Sequence, residues 1–234
     1  MGGLTLLEIY MVNLENNLEK EAFDILLYYV SEDKKAQIHR FYHFEDSQRA
    51  LIGNVLSRYA ICKNLNIKNS DITFDKNEYG KPILSGQNNI HFNISHSGKW
   101  VVCAVSDYPV GIDVEVIKPT EFDIAKRFFS KKEYDELQKQ PDDQKQAYFY
   151  RLWTLKESYI KAVGKGLSIP LDSFTVSVEN SNIVNSNETL VDYSLLHSSL
   201  DENTFYAVCA KNFDSCTKTI FNVQELFHEI CKTL

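Results

Sequence analysis

At 234 residues, 44% of them hydrophobic, the chain is long enough to bury a full core as one large domain or two small ones. Its formal net charge of -7 excludes a protein whose main task is wrapping nucleic acid, because neutralising phosphates needs a dense Lys and Arg surface. The five cysteines are odd in number and contain no C-x-x-C pair, and no apolar run reaches membrane-span length, so the expectation is a cytoplasmic protein without a disulfide framework, zinc site or membrane segment.

Residues 4–12 read as an apolar opening strand, ended by a polar turn at 13–17. A helical pattern covers 31–65, where Phe41, Phe44, Leu51, Ile52, Val55, Leu56 and Tyr59 recur at three- and four-residue spacings. Residues 71–74 read as a short strand, followed by a turn through Glu78, Tyr79, Gly80, Lys81 and Pro82 in which Gly80 permits a positive φ. Strands are expected at 91–95 and 100–105, with a break at His96, Ser97 and Gly98. A further strand spans 110–117. Ser130 and Glu133 form a capping box for a short helix that stops at Pro141, and a longer helix runs over 142–163 to Gly164. Strands around 174–178 and 206–210 and a C-terminal helix complete the order.

A weak internal echo joins the halves. Arg40-Phe41-Tyr42 matches Arg127-Phe128-Phe129, Arg49-Ala50-Leu51 matches Arg151-Leu152-Trp153, and Val102-Cys103-Ala104 returns as Val208-Cys209-Ala210. The matches keep their order, as a duplication with insertions requires. It predicts an α+β pseudo-dimer of two similar subdomains, residues 1–108 and 109–234, with an active-site cleft between them.

The strand at 110–117 carries the most information. Strand alternation puts Ile112, Val114 and Val116 on one face and Asp113 and Glu115 on the other. Two neighbouring carboxylates suit either a solvated edge or a hard cation such as Mg²⁺. A third ligand is at hand on the 142–163 helix, where Trp153, Glu157, Ile160 and Lys161 form a stripe beside Leu152, Leu155, Tyr159 and Val163. Lys156 falls inside the apolar arc between Leu152 and Ile160, a costly place unless its ammonium reaches an anion, so a phosphate nearby is expected. Ser95 and His96 beside Ser97, Lys81 on its turn, and Lys34 with Lys35 offer further anion donors. No Walker loop, dinucleotide fingerprint or H-E-x-x-H motif occurs.

In order, Tyr79-Gly80-Lys81-Pro82, Phe92-Asn93-Ile94-Ser95-His96-Ser97, Gly111-Ile112-Asp113-Val114-Glu115, Phe128-Phe129-Ser130 and Trp153-Thr154-Leu155-Lys156-Glu157-Ser158-Tyr159-Ile160-Lys161 resemble the signatures of the surfactin-synthetase-activating phosphopantetheinyl transferases. The resemblance implies a monomer that moves the 4′-phosphopantetheine arm of coenzyme A to a serine of an apo acyl or peptidyl carrier protein, as in nonribosomal peptide synthesis, releasing 3′,5′-ADP. It implies Mg²⁺ on Asp113, Glu115 and Glu157, and coenzyme A held by Lys34, Lys81, Ser95, His96, Lys156 and Lys161. Glu157, with Glu115 as competitor, is the implied base, and Lys161 and His96 steady the reacting phosphates. Gln37 stands where the family often has a second basic residue, with Lys35 or Arg40 as substitutes. Carrier docking is implied near 164–191, through Leu167, Ile169 and Leu171. A Mg²⁺-dependent coenzyme A or nucleotide pyrophosphate hydrolase and a non-catalytic coenzyme A-binding module are the alternatives.

Overall fold

In the computed structural model, residues 7–87, 89–179, 182–185, 193–211, 213 and 216–234 are described. The first half runs β1 (Leu7–Asn13), α1 (Lys20–Leu27), α2 (Glu32–Ile38), α3 (Phe44–Leu65), β2 (Phe74–Lys76), β3 (Pro82–Leu84), β4 (His91–Ser97) and β5 (Trp100–Ser106). The second runs β6 (Val110–Val116), α4 (Asp123–Phe128), α5 (Lys131–Lys139), α6 (Asp142–Val163), β7 (Phe174–Ser177), β8 (Asn182–Asn185), β9 (Tyr193–Asp201), β10 (Thr204–Lys211), β11 (Thr217–Asn222) and α7 (Val223–Thr233).

Two sheets carry the architecture, ordered β11-β1-β5-β4 and β6-β10-β9. Within each half the opening strand pairs antiparallel with the second strand of a later hairpin, giving β1-β5-β4 and β6-β10-β9. A 22-residue helix covers each sheet, α3 on the first and α6 on the second. The echo of Val102-Cys103-Ala104 in Val208-Cys209-Ala210 falls on the equivalent strands β5 and β10. The α+β pseudo-dimer is therefore present.

Strand alternation explains the layering. Tyr10, Val12, Val101, Cys103 and Val105 point to α3, where Leu51, Ile52, Val55 and Leu56 meet them. The opposite faces, Leu7, Ile9, Met11, Trp100, Val102 and Ala104, pack on Val110, Ile112, Val114, Tyr206, Val208 and Ala210 of the second sheet. Ala207 and Cys209 then face Leu152, Leu155 and Tyr159 of α6. Both sheets are thus buried on both sides, which fixes their register, because a one-residue slip would exchange the layers.

Several expectations change. The helical span 31–65 divides into α2 and α3, with the Ser47 hydroxyl donating to Ile38 O and His43 O across the break. Residues 69–71 form a 3₁₀ turn, so the short strand starts later, at Phe74. β4 continues through Ser97, and the turn holds only Gly98, at φ +55°, and Lys99. Helix α1 and strands β9 and β11 had no sequence reading. Most consequential is β11, which pairs parallel to β1, while α7 buries Leu226 and Ile230 in the first core. The last strand and helix thus belong with the half expected to end at residue 108. Residues 4–6 of the expected opening strand lie outside the described residues.

Candidate active site

The site is built where β6 meets α6. A Cβ on Gly111 would lie 2.1 Å from Ser158 O and 2.2 Å from Ala162 N, so only glycine lets the strand approach the helix backbone so closely. That approach sets Asp113 and Glu115 of β6 beside Glu157 and Lys161 of α6. The Lys161 ammonium donates to Asp113 Oδ1 at 2.5 Å and to Ser95 Oγ at 3.0 Å, and the Ser95 hydroxyl donates to the same Asp113 oxygen at 2.9 Å.

Strand β4 joins the two sheets through side chains. Asn93 Oδ1 accepts from Ile112 N at 2.9 Å, and Ser97 Oγ accepts from Val116 N at 3.1 Å while donating to Glu115 Oε2 at 3.0 Å. Asn93, Ser95 and Ser97 share one face of β4, so the Asn-Ile-Ser-His-Ser pattern places three polar side chains along β6. Ser95, expected on a phosphate, is instead engaged with Asp113 and Lys161.

Three carboxylates gather around one ammonium. Burial, then Asp113, pushes the Glu157 carboxyl up to about 7 against the pull of Lys161, and burial with Asp113 also raises Glu115. Asp113 is only 3% exposed, and its Oδ2 is buried with no partner among the described residues. An oxygen-only donor set with one orphaned buried oxygen fits a hard divalent cation. No three His, Cys, Asp or Glu side chains among the described residues already close into a metal cage, and Lys161 supplies the positive charge at Asp113.

A cavity of about 300 Å³ has Lys34, Gln37, Arg49 and His96 as its polar wall and an apolar wall that includes Phe74 and Phe92. Lys34 Nζ donates to Gln37 Oε1 at 3.0 Å. Arg49 donates to Gly98 O at 3.0 Å and to Asp46 Oδ1 at 2.5 Å. Desolvation at the wall, followed by the Arg49 guanidinium, holds the His96 imidazole below its usual range. Lys35, offered as a substitute at Gln37, pairs with Glu32 at 2.6 Å. Arg49, which shares this cavity wall with Lys34, had entered the sequence reading only as part of the internal echo. Nothing in sequence spacing alone aims a residue of α3 at this wall.

Three residues expected at the site have other surroundings in the structure. Lys156 does not face the cleft: its fully buried ammonium donates to both Glu133 oxygens, at 2.6 and 2.7 Å, and to Phe174 O at 2.7 Å. The anion that its apolar position demanded is internal. Lys81 does not line the Lys34–His96 cavity, and its ammonium donates to the carbonyls of Val110 at 2.9 Å and Lys161 at 2.6 Å. Leu171 is 3% exposed within the second core, leaving Leu167, 72% exposed, as the open apolar side chain of the expected docking patch. Residues 180–181 and 186–191 of the expected docking span lie outside the described residues.

Two family models match in tandem: "4′-phosphopantetheinyl transferase, N-terminal" over residues 17–107 and "4′-phosphopantetheinyl transferase superfamily" over 109–210. A 4′-phosphopantetheinyl transferase of Bacillus subtilis is 44% identical over 212 residues, 90% of this chain and 95% of the relative. The 4′-phosphopantetheinyl transferase Sfp of Bacillus subtilis (strain 168) is 47% identical over 73% of this chain and 76% of its own length. The gsp enzyme of Aneurinibacillus migulanus, of the same name, is 38% identical over 94% of both chains. With both halves matched and the β6–α6 carboxylates in place, the chain belongs to the 4′-phosphopantetheinyl transferase superfamily.

Proposed function

We propose that this chain transfers the 4′-phosphopantetheine arm of coenzyme A to a serine hydroxyl of an apo acyl or peptidyl carrier protein, using Mg²⁺ held by Asp113, Glu115 and Glu157. The observation that carries the reading is the buried Asp113 carboxylate, one oxygen saturated by Ser95 and Lys161 and the other left without a partner between two carboxyls of raised pKa. When bound, the cation neutralises charge on the pyrophosphate as the bond to the leaving group breaks.

The chain's own groups do the rest. The Glu157 carboxylate accepts the serine proton as the hydroxyl oxygen forms its bond to the β-phosphorus and 3′,5′-ADP departs. Lys161 Nζ, already between Ser95 and Asp113, holds a phosphate oxygen at the same place. Lys34, Arg49 and His96 line the nucleotide end, with the aromatic wall of Phe74 and Phe92 beside the base. Leu167 offers an exposed contact for the carrier. No helix among the described residues is long and apolar enough to cross a membrane; the reading includes a cytoplasmic monomer, as the family resemblance implies.

Chromatographic detection of 3′,5′-ADP tests the reading. Release that requires both carrier and divalent cation is expected. Release without a carrier would instead favour a pyrophosphate hydrolase, and tight coenzyme A binding with no release would favour a binding module.

A further inference from the structure

Lys81 has no role in the mechanism above, yet it is held where two elements of the other half come together. It follows Gly80, whose φ of +87° closes the β2–β3 hairpin. Asn77 locks that turn: its Oδ1 accepts from Tyr79 N at 3.0 Å and Lys81 N at 2.9 Å, and its amide donates to Gly164 O at 2.7 Å. The Lys81 ammonium then reaches Val110 O, at the start of β6, and Lys161 O, in the last turn of α6. The last helical bond runs from Gly164 N to Ile160 O, so Lys161 O is left for another donor, and a cation there suits the helix dipole.

Resting on the function proposed above, we infer that Lys81 is a positioning residue: its ammonium staples the start of β6 to the end of α6 and so sets the meeting of Asp113 with Lys161. The two contacts are stacked. One ammonium joins the backbones of the strand and the helix at Val110 and Lys161, and three residues along β6 the Lys161 side chain joins them again at Asp113. Gly111, pressed on Ser158 and Ala162, lies between these ties. A hairpin of the N-terminal half thus fixes the relative placement of two elements of the C-terminal half.

Lys81 and the Lys34–His96 wall border different cavities. Lys81 lines a cavity of about 250 Å³ with Asn77, His91, Pro109 and Gly164, whereas Lys34, Arg49 and His96 line the other; Pro82 and Phe92 border both and stand between them. Two of the three ammonium donors are used on carbonyls. Burial, helped by the neighbouring Lys161 charge, also draws the Lys81 ammonium down to about 8.

Lys81→Met is tested with coenzyme A and with 3′-dephospho-coenzyme A, alongside hydrogen exchange of the substrate-free protein. A misplacement of this kind is expected to lower kcat by about ten- to a hundredfold with KM for coenzyme A within about twofold, and by the same factor for both substrates. Amides of residues 160–164 should exchange faster than in the wild type, and a Lys34→Met control should leave them unchanged. A raised KM with unaltered kcat, a defect that disappears with the dephosphorylated substrate, or unchanged exchange at 160–164 would each overturn the inference. Should Lys81→Met fail to fold, Asn77→Ala, which frees Gly164 and keeps the ammonium, is expected to give a smaller kcat loss with the same exchange signature; unaltered exchange there would also overturn it. Exchange is read without turnover, so a wild type that transfers nothing would sink the proposed function and leave the staple separately testable.

Discussion

Replacing Lys156 by Met separates a structural ion pair from a phosphate ligand. The ammonium is fully buried and sits on both oxygens of Glu133, itself 2% exposed, so its removal leaves a buried carboxylate short of its partner. Breaking such a pair costs about 3–5 kcal/mol. Glu133 keeps two other donors, Ser130 N and Val176 N, each at 2.7 Å, which places the expected loss near the lower end, about 3 kcal/mol. In a chain of this size that lowers Tm by roughly 6–12 °C. Burial pulls the Lys156 ammonium down to about 8, so holding this charge in the fold costs stability relative to the unfolded chain. The double variant Glu133→Gln/Lys156→Met, which removes both charges and keeps an acceptor for Val176 N, should therefore regain at least half of the lost Tm. Calorimetry with coenzyme A kinetics on the folded fraction measures both effects. An unchanged Tm with a KM for coenzyme A raised tenfold would refute the structural assignment.

In the cation-free protein Glu157 loses its proton near 7, so cation binding, and with it transfer at limiting Mg²⁺, should rise between about pH 6 and 8, and Glu157→Gln should abolish the rise together with the activity. The same raised carboxyl contributes stability that is full below its unfolded value near 4.5 and lost as pH climbs through about 7, so melting of the cation-free protein should fall over that window; stabilisation by added Mg²⁺ should grow across it, since ligands must be deprotonated. Gly111→Ala drives a methyl into the α6 backbone and should cost about 1–3 kcal/mol or more while lowering transfer, which thermal melts and rate assays would show. Leu171→Asp should unfold the second half, whereas Leu167→Asp should leave stability within about 0.5 kcal/mol and raise only the KM for the carrier; the reverse pattern would relocate the docking contact.

Much of the site was legible because it rests on short-range regularities. Alternation along residues 110–117 put Asp113 and Glu115 on one face, the helical wheel singled out Glu157 and Lys161, and α6 was bounded by Pro141 and the left-handed Gly164. Lys156 was recognised as a lysine that needs an anion, and Ser130 and Glu133 as a capping box, but nothing local says that one glutamate serves both. Lys81 and Arg49 were misjudged or missed for the same reason, since the contacts that place them, to Val110 and to Gly98, span 29 and 49 residues. Strands β9 and β11 were unread because edge positions tolerate polar residues, and β11 joins β1 only after the whole second half has intervened.

The most direct test of the central claim is intact-mass spectrometry of an apo peptidyl carrier protein after incubation with this chain, coenzyme A and Mg²⁺, with parallel samples containing EDTA or the Asp113→Asn variant. The account predicts a gain of one phosphopantetheine arm in the complete reaction and none in the other two. An arm gained equally with Asp113→Asn at saturating Mg²⁺, or no gain on any of several carriers, would contradict it.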